Sequence, residues 1–156
     1  ESHGPYDVII HNAGVGGDIF NVNNLADPII QSPRQITVAY GINDFHHGRD
    51  ATPADSYLQR LRELYPDIPV TVLEPIWAAR EGLDHHPQPN ESGITLPRYR
   101  QQLRDIVADF DSMRCVASNQ LLPDLDSFVP DGIHPSTVGH QVMGQNLHKI
   151  LSRETP

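Results

Sequence analysis

Apolar positions along the chain fall into two patterns: short continuous runs, and longer segments with a period of three to four residues. The short runs are typical of buried strands and comprise Tyr6–His11, Gln35–Tyr40, Val70–Leu73 and Arg114–Ala117. The periodic segments are typical of helices that begin near Asn21, Thr52, Thr95 and Pro135. Strands that alternate with helices predict a parallel sheet with crossover connections, so the predicted fold class is α/β.

Local signals set the bounds of these helices. Thr52-Pro53 is a favourable helix start, and Asp55 occupies the capping-box position where glutamate is usual. A second helix is expected from Thr95 to Asp109. A weaker helix candidate covers Asn21–Gln31. The last helix follows Pro135, and either His134 or Ser136 is expected to cap it.

Three polar, glycine-containing stretches follow predicted strands or precede the last helix: Asn12–Asp18, Gly41–Asp44 and Asp131–His134. In open parallel sheets the functional loops lie beyond the carboxyl ends of the strands. We therefore expect the three stretches to converge on one crevice.

These stretches contain the groups that acyl transfer requires apart from the nucleophile. Asp131 can orient His134 and leave its second ring nitrogen as a base. Gly16 and Gly17 allow backbone N–H groups to face a ligand, and Asn43 adds a side-chain donor, which together are typical of an oxyanion hole. The alternative for the Asp131–His134 stretch is an ordinary helix start in which the aspartate caps and the histidine lies on the surface.

The chain resembles the SGNH (GDSL-type) hydrolase superfamily in three of its four sequence blocks. The matching stretches are Asn12–Asp18, Gly41–Asp44 and Asp131–Pro135, in the family's order. The resemblance implies a flavodoxin-like, three-layer α/β/α fold with a parallel sheet. It implies that Gly17 and Asn43 are oxyanion donors, that Asp131 is the orienting acid and that His134 is the base.

The family's first block, Gly-Asp-Ser, carries the nucleophile and has no counterpart here. Ser2 lies too close to the first predicted strand to leave room for a nucleophile strand and a helix. We therefore expect the nucleophile and the first strand to precede Glu1, so that residues 1–156 form one N-terminally incomplete domain. A pseudoenzyme without the serine is a less favoured alternative, because the other catalytic positions are retained.

Two other functions deserve comparison. Asn12-Ala13-Gly14 also resembles a turn of short-chain dehydrogenases, but that family needs a Tyr-x-x-x-Lys pair, and Gln145 stands four residues before Lys149, the sole lysine. The pairs His46-His47 and His85-His86 raise the question of a metal site. Adjacent histidines diverge in an extended loop, so no metal is expected.

The long polar loop from Ile76 to Ile94 contains Trp77, which is interpreted either as a core anchor or as an apolar wall for substrate. His46 is a second candidate for substrate contact. Asp18 and Asp44 are interpreted as turn-forming residues.

Composition narrows the function classes. The 156 residues carry 20 acidic against 11 basic side chains, a formal charge of −9, which argues against nucleic acid and anionic membranes as partners. Cys115 is the single cysteine and is expected to be a buried structural thiol. No apolar run reaches membrane-spanning length.

The predicted function is a serine esterase acting on a small-molecule ester without cofactor, and the main rival is a non-catalytic carbohydrate- or protein-binding domain. Oligomeric state and localisation stay open.

Overall fold

Within the residues that the structure describes, three strands form a parallel sheet in the order β1–β2–β3, where β1 is Ile36–Val38, β2 is Val70–Leu73 and β3 is Met113–Val116. Val70 aligns with Ile36 on one side and with Met113 on the other. The computed structural model describes residues 9–25, 27–28, 30–76, 88–123 and 134–152. The predicted positions Trp77, His85, His86 and Asp131 lie outside these residues.

Five α-helices surround the sheet within the described ranges. They are α1 (Ile42–His46), α2 (Pro53–Leu64), α3 (Leu96–Ala108), α4 (Ser118–Leu121) and α5 (Thr137–Ser152). No described helix is both long and apolar enough to cross a bilayer.

The side chains of β2 alternate between two apolar clusters, one on each face of the sheet. Val70 and Val72 face the cluster formed with α2 and α3, where Leu58 and Leu103 are fully buried. Leu73 faces the smaller cluster that includes Leu121 of α4 and the α5 residues Met143, Leu147 and Ile150. Helices thus cover both faces of the parallel sheet, which confirms the predicted α/β class and its helix–sheet–helix layering.

The strongest sequence patterns are reproduced closely. β2 has the predicted bounds, whereas β1 is shorter than Gln35–Tyr40 and β3 begins one residue before Arg114. Helices α2 and α3 begin directly after Thr52 and Thr95, although neither threonine makes a side-chain capping bond. Ser136 caps α5 as one of the two predicted candidates, since its Oγ accepts a hydrogen bond from Gly139 N at 3.1 Å.

The described residues contradict one predicted helix and part of one predicted strand, Tyr6–His11, whose residues 6–8 lie outside them. Within 21–31 there is a single 3₁₀ turn, Val22–Asn24, whose cap Asn21 bonds its own backbone two residues on; asparagine offers such local bonds in competition with a helix. The predicted strand Tyr6–His11 is absent over residues 9–11. Ile9 and Ile10 are 82% and 85% exposed there, and no described strand pairs with them.

Candidate active site

A groove of about 330 Å³ runs along β1. Its lining includes residues 35–40 and the segment 11–15. Leu25, Tyr57 and Leu61 also line it, whereas no residue of β2 or β3 does. The groove therefore lies along the edge of β1 that faces away from β2, with polar residues Asp18 and Asn43 at its border.

The sharp turn after β1 depends on Gly41, which has a φ of 112° and precedes α1. A Cβ added there would lie 3.0 Å from both Pro75 Cγ and Tyr99 Cε1. Glycine is therefore required on both conformational and steric grounds. The turn places Asn43 and Asp44 in the first turn of α1, where both side chains bond the segment 18–20.

Asn43 joins this turn to the glycine-rich segment. Its Nδ2 donates a hydrogen bond of 2.8 Å to the backbone oxygen of Asp18. Gly17, one residue earlier, has a φ of 80° and nothing within 4 Å of the position a Cβ would take. The two predicted oxyanion donors thus belong to segments in direct contact, and the backbone at Gly17 is open to approach.

Asp44 is fully buried and bonds the same segment two residues further on. Its Oδ2 accepts a hydrogen bond of 3.1 Å from Phe20 N, and its Oδ1 lies 3.2 Å from Nη1 of Arg49. Burial raises the pKa of Asp44, and the Phe20 N–H and the Arg49 charge offset that rise only in part.

Asp18, unlike Asp44, is surrounded by several hydrogen-bond donors. Its carboxylate accepts hydrogen bonds from Tyr40 Oη at 2.9 Å, from Asn24 Nδ2 at 2.9 and 3.1 Å, and from Ile19 N at 2.9 Å. Burial alone would raise the pKa of Asp18, but these donors outweigh it and lower the pKa. Burial, followed by the bond to Asp18, raises the pKa of Tyr40 far above its usual range, so the phenol stays a donor.

Aromatic packing adds a further contact between the glycine-rich segment and the end of β1. Phe20 is 1% exposed, and its ring centroid lies 5.3 Å from that of Tyr40 and 5.4 Å from that of Tyr57. We call Asp18, Phe20, Tyr40, Asn43 and Asp44 the clamp. The sequence patterns indicated only turn-forming roles for Asp18 and Asp44 and did not single out Phe20 or Tyr40. The hydrogen-bonded pairs of the clamp are 22 to 25 residues apart in the sequence, a separation that no local pattern reveals.

The remaining predicted positions are spread over other elements. His134 is exposed and lies directly before α5, and its predicted partner Asp131 falls outside the described residues. His46 is exposed at the end of α1, with its ring 6.0 Å from that of Phe45. Across the described ranges, no three histidine, cysteine, aspartate or glutamate side chains are grouped as a metal site would need.

Cys115 lies half-buried in β3. Burial, with a smaller contribution from Glu74, raises the pKa of its thiol to about 12. A thiol with such a pKa stays protonated at neutral pH and is a poor nucleophile, because the thiolate is the reactive form. The structural role predicted for this cysteine fits these surroundings.

Comparison with known proteins identifies the class. The model of the GDSL-like Lipase/Acylhydrolase family matches residues 1–142, so the chain belongs to this family. That membership supports an ester hydrolase and confirms the resemblance to SGNH hydrolases. A search of curated proteins found no match.

Solved structures share the fold at low sequence identity. A candidate platelet activating factor from Streptococcus pneumonia matches with a TM-score of 0.74 and 17% identity, over 94% of this chain and 74% of that one. A Lactobacillus plantarum protein matches with a TM-score of 0.67 and 17% identity, over 82% and 71%. A carbohydrate esterase family 3 protein from Talaromyces cellulolyticus matches with a TM-score of 0.56 and 18% identity, over 78% and 58%.

Proposed function

We propose that the protein hydrolyses small or polar acyl esters through a serine acyl-enzyme. His134 is the general base, Asp131 orients it, and Gly17 N–H and Asn43 Nδ2 stabilise the oxyanion. The observation that carries this proposal is the 2.8 Å contact between Asn43 Nδ2 and Asp18 O. It joins the segments that contain both oxyanion donors, in a chain that belongs to a lipase/acylhydrolase family.

The reaction follows from these roles. The serine oxygen attacks the ester carbonyl while His134 accepts its proton, and the oxygen that becomes negative is held by the two donors. Collapse of the tetrahedral intermediate expels the alcohol, which takes the proton back from His134. Water, deprotonated by His134, then attacks the acyl group and releases the acid and the free serine. The chemistry requires no metal or organic cofactor.

The nucleophile is proposed to come from polypeptide outside residues 1–156. The outer edge of β1 supports this proposal, because no described strand pairs with it and the adjacent groove is lined by side chains such as Val38, Tyr57 and Leu61. In a flavodoxin-like sheet with strand order 2-1-3-4-5, β1 corresponds to the third strand, and the first strand lies on the side of it that faces away from β2. A residue that follows such a strand would emerge beside Asn43.

The substrate proposal rests on the polar border of the groove and on the neighbours' chemistry. The Talaromyces cellulolyticus structure is a carbohydrate esterase, and another match is an acetyl esterase bound to acetate. Both are consistent with a short acyl group on a polar alcohol. Trp77, which follows β2 in the sequence, and His46, at the end of α1, are proposed to contact the substrate.

A non-catalytic carbohydrate- or protein-binding domain is the second candidate. The observation that favours it is the lack of any Gly-Asp-Ser sequence within the 156 residues. Such a domain would use the same crevice for binding and would perform no covalent step.

Turnover of p-nitrophenyl acetate by the complete protein tests the proposal. We expect saturable hydrolysis and stoichiometric labelling by a fluorophosphonate, both of which should be lost in His134→Ala. His148→Ala, which alters an exposed histidine on α5, is the matched control and should leave both unchanged. Hydrolysis no faster than in buffer, together with no labelling of a folded protein, would favour the binding domain.

A further inference from the structure

Two neighbouring residues of α1 hold the segment that contains Gly17. Asn43 binds the backbone oxygen of Asp18, and Asp44 binds the backbone N–H of Phe20. One bond uses a donor and the other an acceptor, so together they fix both the position and the direction of residues 18–20 relative to α1. Because Gly17 directly precedes this segment, its placement follows from the same two bonds.

Asp44 is an unusual residue for a purely structural anchor. Its side chain is fully buried, whereas its ionic partner Arg49 is 33% exposed. A buried carboxylate loses hydration, and replacing a buried ion pair by apolar groups of similar volume is often neutral or stabilising. A charged group at such a position is therefore better explained by the geometry it imposes than by the stability it adds.

Asp44 also cannot act on substrate directly. Asn43 and Asp18 line the groove, but Asp44 does not and has no exposed surface. Any influence on the reaction must pass through Phe20 N–H and the adjoining backbone. The bond to that N–H is the link between the buried carboxylate and the accessible backbone at Gly17.

We propose that Asp44 is a positioning residue, which holds residues 18–20 against α1 and thereby sets the distance between Gly17 N–H and Asn43 Nδ2. The inference rests on the proposed function, since these two groups are the proposed oxyanion donors. It assigns Asp44 a role separate from that of Asn43: Asn43 contacts the reacting oxygen, whereas Asp44 keeps the second donor in place.

A variant series in the complete protein tests this role. Asp44→Asn retains an oxygen that can accept from Phe20 N–H, so we expect kcat within about fivefold of wild type. Asp44→Ala removes the acceptor and should lower kcat by about 10- to 100-fold with KM changed less than about threefold, because a displacement near 1 Å can cost about 10²-fold in rate. Asp55→Asn, at an exposed carboxylate of α2, is the matched control and should change neither constant.

A double-mutant cycle separates positioning from general destabilisation. If Asp44 acts through the oxyanion hole, Asp44→Ala should cost much less in an Asn43→Ala background, where the hole is already impaired. An equal fold-loss in both backgrounds would overturn the proposal. Asp44→Val, which fills the space without an acceptor, provides a second folded variant. If neither Ala nor Val folds while Asn does, Asp44 is a folding residue and the proposal is wrong.

A readout independent of activity distinguishes this proposal from the function on which it rests. In ¹⁵N-labelled protein, Asp44→Ala should shift the Gly16 and Gly17 amide resonances and the Asn43 side-chain resonances, and Asp55→Asn should not. Unshifted resonances in folded Asp44→Ala would overturn the positioning role even if the enzyme is active. Shifted resonances in a protein without esterase activity would retain the geometric role of Asp44 and reject the proposed function.

Discussion

Removal of the Asn43 amide is the most direct perturbation of the proposed oxyanion hole. Asn43→Ala deletes a donor whose Nδ2 is already held at 2.8 Å from Asp18 O, close to the open backbone at Gly17. Loss of one oxyanion donor typically lowers kcat by about 10²–10³-fold, or about 2.7–4 kcal/mol of transition-state stabilisation. KM should change little, because the contact strengthens mainly in the transition state.

The same substitution has a smaller, separable effect on stability. Asn43 is partly buried, and the variant leaves the Asp18 oxygen without this donor. A lost hydrogen bond of this kind costs about 1 kcal/mol, which in a domain of this size corresponds to a decrease in Tm of about 2–4 °C. A fall in kcat of a hundredfold or more at a temperature well below Tm cannot result from so small a loss of folded protein.

Steady-state kinetics with p-nitrophenyl acetate and a thermal melt measure both effects in the complete protein. Asn119→Ala, at an exposed position of α4, is the matched control and should reproduce wild-type kinetics. Asn43→Asp keeps the shape but places a carboxylate beside the developing oxyanion, so it should be at least as impaired as Asn43→Ala. Activity of Asn43→Ala within about threefold of wild type would remove Asn43 from the mechanism.

Three further predictions follow from the site and the sheet. His134→Ala should abolish activity, because the serine then lacks its proposed general base; inactivation by chelators with recovery on zinc or manganese would instead assign the chemistry to the histidine pairs. The pKa of Asp18 is lowered from 3.8, so its ionised form stabilises the fold above pH 3.8, and this stabilisation is lost as the pH falls through the lowered pKa. Asp18→Asn should therefore lower Tm at pH 7, and the difference in Tm from wild type should become smaller in acid. A constant difference in Tm from pH 7 to pH 3 would contradict this prediction. Residues 1–156 expressed alone should aggregate and show no esterase activity, because no described strand pairs with the outer edge of β1 and Ile9 and Ile10 are exposed; a soluble, cooperatively melting monomer with residues 6–11 paired directly to β1 would refute that expectation.

The sheet and the long helices were predictable because their signals are local and repeated. β2 is apolar or β-branched at all four positions and is buried on both faces, so a short run suffices to mark it. Helices α2 and α3 combine a threonine–proline or threonine start with an apolar stripe over three turns. The five-residue helix α1 is too short for such periodicity, and the sequence marked it only as a turn containing Gly41 and Asn43.

The glycine-rich and asparagine-containing stretches were recognisable as special turns for a related reason. Gly41 is required by its own backbone conformation and by the side chains packed against it, and such requirements leave a glycine at a fixed place in the sequence. The incorrect helix prediction for residues 21–31 shows where local sequence patterns are insufficient. Weak periodicity there competes with asparagine side chains that bond nearby backbone, and those local bonds determine the observed 3₁₀ turn.

The two aspartates of the clamp show what no sequence pattern could supply. Asp18 and Asp44 both close a glycine-containing stretch after a predicted strand, and both were interpreted as turn formers. Their pKa values nevertheless shift in opposite directions, because Asp18 meets several donors at the border of the groove whereas Asp44 is buried against one N–H and one partly exposed arginine. The hydrogen-bond partners that contribute to this difference in pKa shift, Tyr40 for Asp18 and Phe20 for Asp44, are more than 20 residues away in the sequence. A short motif therefore predicts candidate groups for ester chemistry, whereas the packing between distant segments decides which carboxylate borders the groove and which one is buried against residues 18–20.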